Sequence, residues 1–565
     1  MRKPLLTIAI CLWPALAAAQ ALNPTDLLKP LAGAWPTYSG DYSGKRYSHL
    51  TQINQTNVKN LTLAWTSRLT AGAGGSGGGR GGRFGGGAPP VIVGGEGTAD
   101  AGAGGGGFGG GTNIKGSILQ VNGTLYVSTP DNAWAVDALD GRELWHYFWK
   151  TKGGTHIGNR GLGMWGNWLY METPDDYLVC LDARTGKERW HKEIASFNAQ
   201  YFSTMAPVVV GNHVLVGTGN DMDEPGLLQS FDPETGDRQW VWYSVPMKKG
   251  DPGLDTWASL DAARHGGGQV WIPGSYDPET HLYITGTGNP SPAYTSQTRG
   301  EGDNLFTCAI VALNVDTGKM VWYYQTSPHD THDWDSAQTP VLVDAEFNGK
   351  PRKLVLTASR NGYYFTLDRL TGERLASGPF SNAVNWAKGM NAKGQPVRNP
   401  AKDYDIAGAL VSPANGGITN WPPPTFSPDT GLFYVPQHDS YAMYYLAETD
   451  PRGAMGLGGK EEQGVGSLGS FLTAIDYKTG KVAWRYKYSS VTPGGGGAGL
   501  LSTAGKLLFG GDPGGNLVAH DPANGKPLWH SHIGAVTAAP ETYALDGHQY
   551  ILAASGDMLY AFTLY

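Results

Sequence analysis

Apolar and polar residues alternate in short runs along most of the chain, and turn residues interrupt the runs at a recurring spacing. In AWAVD (133–137), LVCLD (178–182) and FLTAID (471–476) every second side chain falls on one face, which predicts β-strands. Seven runs end alike, with Asp or Asn followed by Gly at +4: Asp137/Gly141, Asp182/Gly186, Asp232/Gly236, Asn314/Gly318, Asp368/Gly372, Asp476/Gly480 and Asp521/Gly525. Trp stands at +8 in six of them, and Ala376 takes that place in the fifth. This spacing predicts a tight hairpin. The Asp or Asn side chain accepts from backbone amides of the turn, and Gly takes the φ > 0 position. The Trp then lies on the returning strand, large enough to pack on a neighbouring sheet.

A lone sheet of this kind leaves its faces bare, so repeated units must stack, radially for a propeller. LTLAWTSRL (61–69) is a returning strand with Trp65 and no turn before it; DMLYAFTLY (557–565) is an entering strand with no turn after it. Pairing them adds an eighth sheet and removes two sticky edges. The predicted fold is therefore all-β, an eight-bladed β-propeller over 35–565 with N- and C-terminal strands closing one blade. Long gaps between Trp positions (65 to 145, 240 to 322, 376 to 484) predict insertions. One of these, 71–111, holds 22 Gly and reads as a flexible insertion within the propeller.

Composition narrows the function. The 565 residues carry 42 Lys plus Arg against 49 Asp plus Glu, a net charge of −7 without any long basic run, which disfavours nucleic acid and anionic membrane as partners. Arg2-Lys3, the apolar stretch 5–16 and Ala17-Ala18-Ala19 read as a signal peptide over 1–21, cleaved after Ala19 or Ala21, so the mature protein is expected to be exported to the periplasm. No later segment is long and apolar enough to span a membrane. Cys180 and Cys308 sit in apolar strand-like runs and are expected as buried free thiols. No C-x-x-C-H occurs, so no covalent haem is expected.

The repeat, together with WPTYSGDYSGKRYSHLTQIN (35–54), GGGQVWIPGSYDPETHLYITGTGN (266–289), PHDTHDWD (328–335), SRNG (359–362) and the closing strands, resembles the quinoprotein alcohol dehydrogenases across essentially all of 35–565. Members of that family, such as the methanol dehydrogenase large subunit, are periplasmic propellers that bind pyrroloquinoline quinone (PQQ) and a Ca²⁺ or lanthanide ion. The resemblance implies oxidation of an alcohol, with electrons passed to an external cytochrome c. It assigns Asp335 as the catalytic base, and a carboxylate beside a metal suits that task. It assigns Asp221, Asn289 and Asp335 as metal ligands, hard oxygens that suit Ca²⁺; Asp223 or Glu224 could replace Asp221 if the loop is shifted. Lanthanide-type members carry an extra aspartate where this chain has Ala337, so calcium is implied.

The cofactor residues follow in the same way. Trp271 matches the indole on which the PQQ ring lies, with Gln269 in place of a threonine common in that motif. Arg160 and Arg360 match cationic contacts, for which a guanidinium offers paired donors. Thr204, Thr218 and Asn420 match hydrogen-bonding positions, and Trp421 lines the cavity. Lys115 stands where the family has an active-site glutamate, Gly154-Thr155 where it has an adjacent-cysteine disulfide, and the Gly run 494–497 where it has a late tryptophan. The segment holding His329, Asp330 and His332 lacks a recognised ligand spacing and is expected to be a hydrogen-bonded loop. The competing reading is a cofactor-free propeller acting as a binding or scaffold protein, and retention of Asp335, Asn289, Trp271, Arg160 and Arg360 argues against it.

Overall fold

The structure, a computed structural model, describes residues 22–72, 91–97, 113–154, 158–447, 460–489 and 498–565. The expected signal peptide, most of the Gly-rich insertion, Thr155 and the Gly run 494–497 lie outside them. Among the described residues the chain is almost entirely β, in eight sheets of four or five strands and one two-stranded sheet.

All seven repeats form the predicted hairpin. In each, the Gly amide donates to the carbonyl of the Asp or Asn four residues earlier, as Gly318 does to Asn314 at 2.9 Å. The acid or amide side chain accepts from turn amides, as Asp476 Oδ1 does from Lys478 N and Thr479 N at 3.0 and 2.9 Å. A one-residue register shift falls at the same place in every copy, just before the turn, for example between Ala312 and Leu313. Such a bulge sharpens the twist of the hairpin.

The tryptophans do what their size predicts, and they do it between sheets. Trp240 lies on Gly318 of the next repeat, and its Nε1 donates to Val315 O at 2.9 Å. Trp65, Trp145, Trp190, Trp322 and Trp484 repeat that contact with the following turn, donating to Ala138, Ala183, Glu234, Arg369 and Pro522. Trp529 instead meets Phe562 edge-on at 5.3 Å, because the sheet after it has no such turn. That sheet is built from both chain ends: Thr62–Arg68 pairs antiparallel with Met558–Thr563, and Trp65 then docks on the first repeat. The last sheet thus grips the first.

The segment from Trp35 to Ser48 shows where the sheets converge. It exchanges backbone bonds with Gln120, Tyr276, Leu342 and Ser502 in the inner strands of four sheets and with Phe426 in a short strand, Thr425–Ser427, of a fifth. So short a segment can reach five sheets only where their inner strands meet, which defines the hub. Arg46 is fully buried there and donates to Tyr38 O, Leu500 O and Pro540 O at 2.8–2.9 Å, with its guanidinium over the Trp35 ring. The long gaps hold insertions, as expected: a short helix Leu260–Arg264, the pair Ala387–Met390 and Pro396–Arg398, and a long hairpin of Leu432–Leu446 and Lys460–Asp476. Cys180 and Cys308 are both buried and free.

Candidate functional site

The candidate residues share one topological position. Lys115, Arg160, Thr204, Trp271, Asp335, Asn420 and Trp421 lie in segments leading into the first strand of their sheets. Thr218, Asp221, Asn289 and Arg360 lie at or just beyond the end of the second strand. In an antiparallel sheet the start of strand one adjoins the end of strand two, so these residues all belong to one end of the hub.

Asp335 is 4% exposed, and both its oxygens are held. Trp271 Nε1 donates to Oδ2 at 2.9 Å, Asn289 N donates to Oδ1 at 2.6 Å, and Arg360 Nη1 lies 3.1 Å from Oδ2. Burial pushes the carboxyl up to about 7; Arg360 opposes that rise, and Asp333 and Asp221 add to it by like-charge repulsion. Arg360 is also buried. Burial works against its charge, yet Asp333 and Asp335 outweigh it and hold its pKa above the usual range. Of Arg360's donors, Nη2 serves Asn415 O at 2.8 Å and Asp333 Oδ2 at 3.3 Å, and Nε is buried without a partner among the described residues.

Across the hub, Arg160 is half-buried over Trp271, with its guanidinium 4.4 Å from the Trp271 ring centroid and 5.3 Å from that of Trp421. Its Nη1 donates to Thr204 O at 3.0 Å, and burial pulls its pKa down to about 10. Arg160 Nε, Thr204 Oγ1, Thr218 Oγ1 and Gln269 Oε1 are buried and have no hydrogen-bond partner among the described residues. Buried polar atoms rarely stay unpaired in the working state of a protein, so these four call for polar partners, ordered water or a ligand. Gln269 Nε2 meanwhile donates to Asp221 Oδ1 at 2.7 Å, and Asn289 turns its own Nδ2 to Pro290 O. No three His, Cys, Asp or Glu side chains among the described residues are grouped to hold a metal. The expected ligand set is two carboxylates and an amide.

Two expected residues show no bond to Asp335, Arg360 or Arg160 among the described residues. Lys115 is exposed. Asn420 closes its own loop, donating to Gly416 O and accepting from Trp421 N. The His329–Asp330–His332 segment is a bonded loop: Asp330 Oδ2 accepts three backbone amides, His329 reaches Gly302 O, and His332 reaches Lys402 O while stacking on Trp334. Sequence reasoning missed Asn415, Tyr294 and Glu172. Asn415 and Tyr294 both bond Asp333 Oδ2. Glu172, deeply buried in the field of Arg160, accepts from Met205 N at 3.2 Å, and burial pushes its carboxyl well up. A carboxylate inside an otherwise apolar strand (WLYME) was the available signal for Glu172; a loop asparagine gives none.

Comparison with known proteins agrees with this geometry. The profile described as glucose/ethanol/alcohol dehydrogenase, beta-propeller domain, matches residues 35–378, and that of outer membrane protein assembly factor BamB matches 465–562. A quinohemoprotein alcohol dehydrogenase of Comamonas testosteroni is 34% identical over 96% of this chain and 76% of its own length. A 1-butanol dehydrogenase (cytochrome c) of Thauera butanivorans is 32% identical over 93% of this chain and 74% of its own. The crystal structure of the Comamonas testosteroni enzyme superposes with a TM-score of 0.82 at 30% identity, covering 97% of this chain and 83% of that one. Profile, identity and superposition converge: the chain belongs to the PQQ-dependent quinoprotein alcohol dehydrogenases, oxidoreductases that act on CH–OH groups.

Proposed function

We propose that this protein oxidises an alcohol to an aldehyde or ketone with bound PQQ and Ca²⁺, as an eight-bladed propeller exported to the periplasm that passes electrons to an external cytochrome c. The observation that carries the reading is the buried Asp335 carboxylate, fixed by an indole N–H, a backbone N–H and a guanidinium. The seven repeat sheets and the one shared by the chain termini, each docked on the next, support the count of eight blades.

The residues present fit the cofactor. PQQ is planar and carries carboxylates; Arg160 Nε, Arg360 Nε and the Thr204 and Thr218 hydroxyls offer buried donors, and Trp271 and Trp421 offer flat faces. When bound, PQQ supplies the acceptor for the hydride that leaves the alcohol carbon. Asp335 takes the hydroxyl proton, which requires its ionised form. Arg360, anchored on Asp333, holds that carboxylate in place, and its buried Nε would be a donor available to the cofactor. Asp221, Asn289 and Asp335 would hold Ca²⁺, whose role is to polarise the reacting oxygen, with the remaining positions left to the cofactor and water.

The second reading, a cofactor-free binding propeller, draws on the internal pairing of Arg360 with Asp335 and of Arg160 with Trp271, which satisfies part of the site without a ligand. Thermal melting separates the two. At PQQ and Ca²⁺ about 100-fold above Kd, binding stabilises the folded state by about 2.7 kcal/mol, and dye reduction should then depend on added alcohol. An unmoved melting temperature at saturating cofactor rejects the dehydrogenase reading.

A further inference from the structure

We propose that Asn415 is a positioning residue: its amide fixes Asp333 so that the Arg360 guanidinium stays locked against Asp335, and Glu462 of the long hairpin anchors Asn415 in turn. The inference rests on the reading above. Three polar groups of Asn415 are engaged: its side-chain N–H₂, its carbonyl and its backbone N–H. Its Nδ2 donates to Asp333 Oδ2 at 2.8 Å and to Tyr294 Oη at 3.2 Å, and its carbonyl accepts from Arg360 Nη2 at 2.8 Å. Its backbone N donates to Glu462 Oε1 at 2.9 Å.

The loop carrying Asn415 is laid directly on Arg360. Ile418 N donates to Arg360 O at 2.9 Å. Gly417, at φ +81, leaves no room for a side chain: a Cβ there would meet Arg360 Cβ and O at 2.8 Å. The Arg360 guanidinium bridges two carboxylates, with Nη2 3.3 Å from Asp333 and Nη1 3.1 Å from Asp335, so where Asp333 sits decides how Arg360 meets Asp335. Without the amide, Asp333 loses its shortest hydrogen bond and becomes free to draw the guanidinium away from Asp335. The Arg360 donors would then be displaced relative to the Asp335 carboxylate they now face. A planar, forked cation is the group most sensitive to such a shift.

The test compares Asn415→Ala, Asn415→Asp and the exchange Asp333→Asn/Asn415→Asp, which restores an amide–carboxylate pair with the partners reversed. In crystals of the cofactor-free protein, Arg360 should move off Asp335 by about 1 Å in Asn415→Ala, a displacement that can cost about 100-fold in the chemical step. In PQQ- and Ca²⁺-loaded protein, single-turnover reduction of the cofactor by ethanol should slow accordingly, with KM for ethanol kept within about twofold. The exchange variant should recover much of the rate lost in Asn415→Asp, a coupling that two independent structural defects would not show. Glu462→Ala, which removes the acceptor of the Asn415 backbone amide, should displace Arg360 in the same direction as Asn415→Ala, and an unmoved Arg360 there removes Glu462 from the proposal. An unmoved Arg360 in Asn415→Ala overturns the proposal whether or not PQQ binds. A fall in melting temperature with normal single-turnover rate overturns it too. Failure of the wild type to bind PQQ sinks the dehydrogenase reading, and the crystal comparison still decides the role of Asn415.

Discussion

Alanine at two turn glycines separates backbone strain from tryptophan docking. Gly372 and Gly480 adopt the same conformation, φ +73 and +68, in equivalent repeats. At Gly372 the Trp322 ring from the preceding sheet lies on the turn, and an added Cβ would come within 2.6 Å of its Cε3. At Gly480 the preceding repeat carries Ala376 instead, and the nearest atom to a Cβ would be 3.4 Å away. Holding alanine at positive φ costs about 1–2 kcal/mol, and the stiffer unfolded chain returns about 0.4–1 kcal/mol of it. Gly480→Ala should therefore cost about 1 kcal/mol. Gly372→Ala adds a carbon contact well inside the 3.5–4.0 Å optimum against a ring that is 7% exposed and bonded to Arg369 O at 2.8 Å. Overpacking of that kind costs about 1–3 kcal/mol more. Calorimetric melting at one scan rate and one ligand state reads the difference: Gly372→Ala should lower the melting temperature at least twice as far as Gly480→Ala. In a Trp322→Ala background the excess should vanish. Equal losses at the two glycines in the wild-type background would refute the docking argument.

Other outcomes follow from the site and the core. Asp335→Asn keeps the shape of the site and removes the proton acceptor, so turnover should fall by about 10²–10⁴-fold while the PQQ-dependent melting shift persists; normal turnover would exclude Asp335 as the base. Asp221→Ala should weaken Ca²⁺ by more than the roughly 10–100-fold that loss of an outer partner costs, as read by calcium titration of PQQ-loaded protein; unchanged affinity would move the ligand to Asp223 or Glu224. His146 is fully buried, stacked on Trp134, with Nε2 on Asn132 Oδ1 and Nδ1 unpartnered among the described residues. Burial lowers its pKa from 6.5 to about 4, so the unfolded chain takes up a proton first as pH falls. Stability should drop between about pH 6.5 and 4, by about 3 kcal/mol for this residue. In denaturant titrations across that range His146→Gln should flatten the slope by one proton, and an unchanged slope would show that His146 does not titrate there.

What could be read from the sequence and what could not divide along chain distance. The turn was legible because its chemistry is local: an acceptor at one position, a φ > 0 glycine at +4 and a ring at +8 act within one hairpin, and seven copies average out the noise. Ring closure was legible because two half-sheets at opposite ends each lacked what the other had. Asp335, Trp271 and the two arginines came from resemblance, since nothing local distinguishes Asp335 from the other carboxylates of its loop. The network behind them had no local signature at all. Asn415 meets Asp333 across 82 residues and Glu462 across 47, and Arg46 reaches Leu500 and Pro540 across 454 and 494. Those contacts exist because the repeat brings first strands to a common hub, so the local rule decides which distant loops meet without specifying what they exchange. That freedom has a physical consequence for the site. Asp335 and Asp333, two residues apart in one loop, share the Arg360 guanidinium in a place where burial penalises the charges of Asp335 and Arg360. A buried carboxylate of that kind persists only if its counter-ion cannot drift, and it is the loop from a neighbouring sheet, fixed by the hairpin beyond it, that stands in the way.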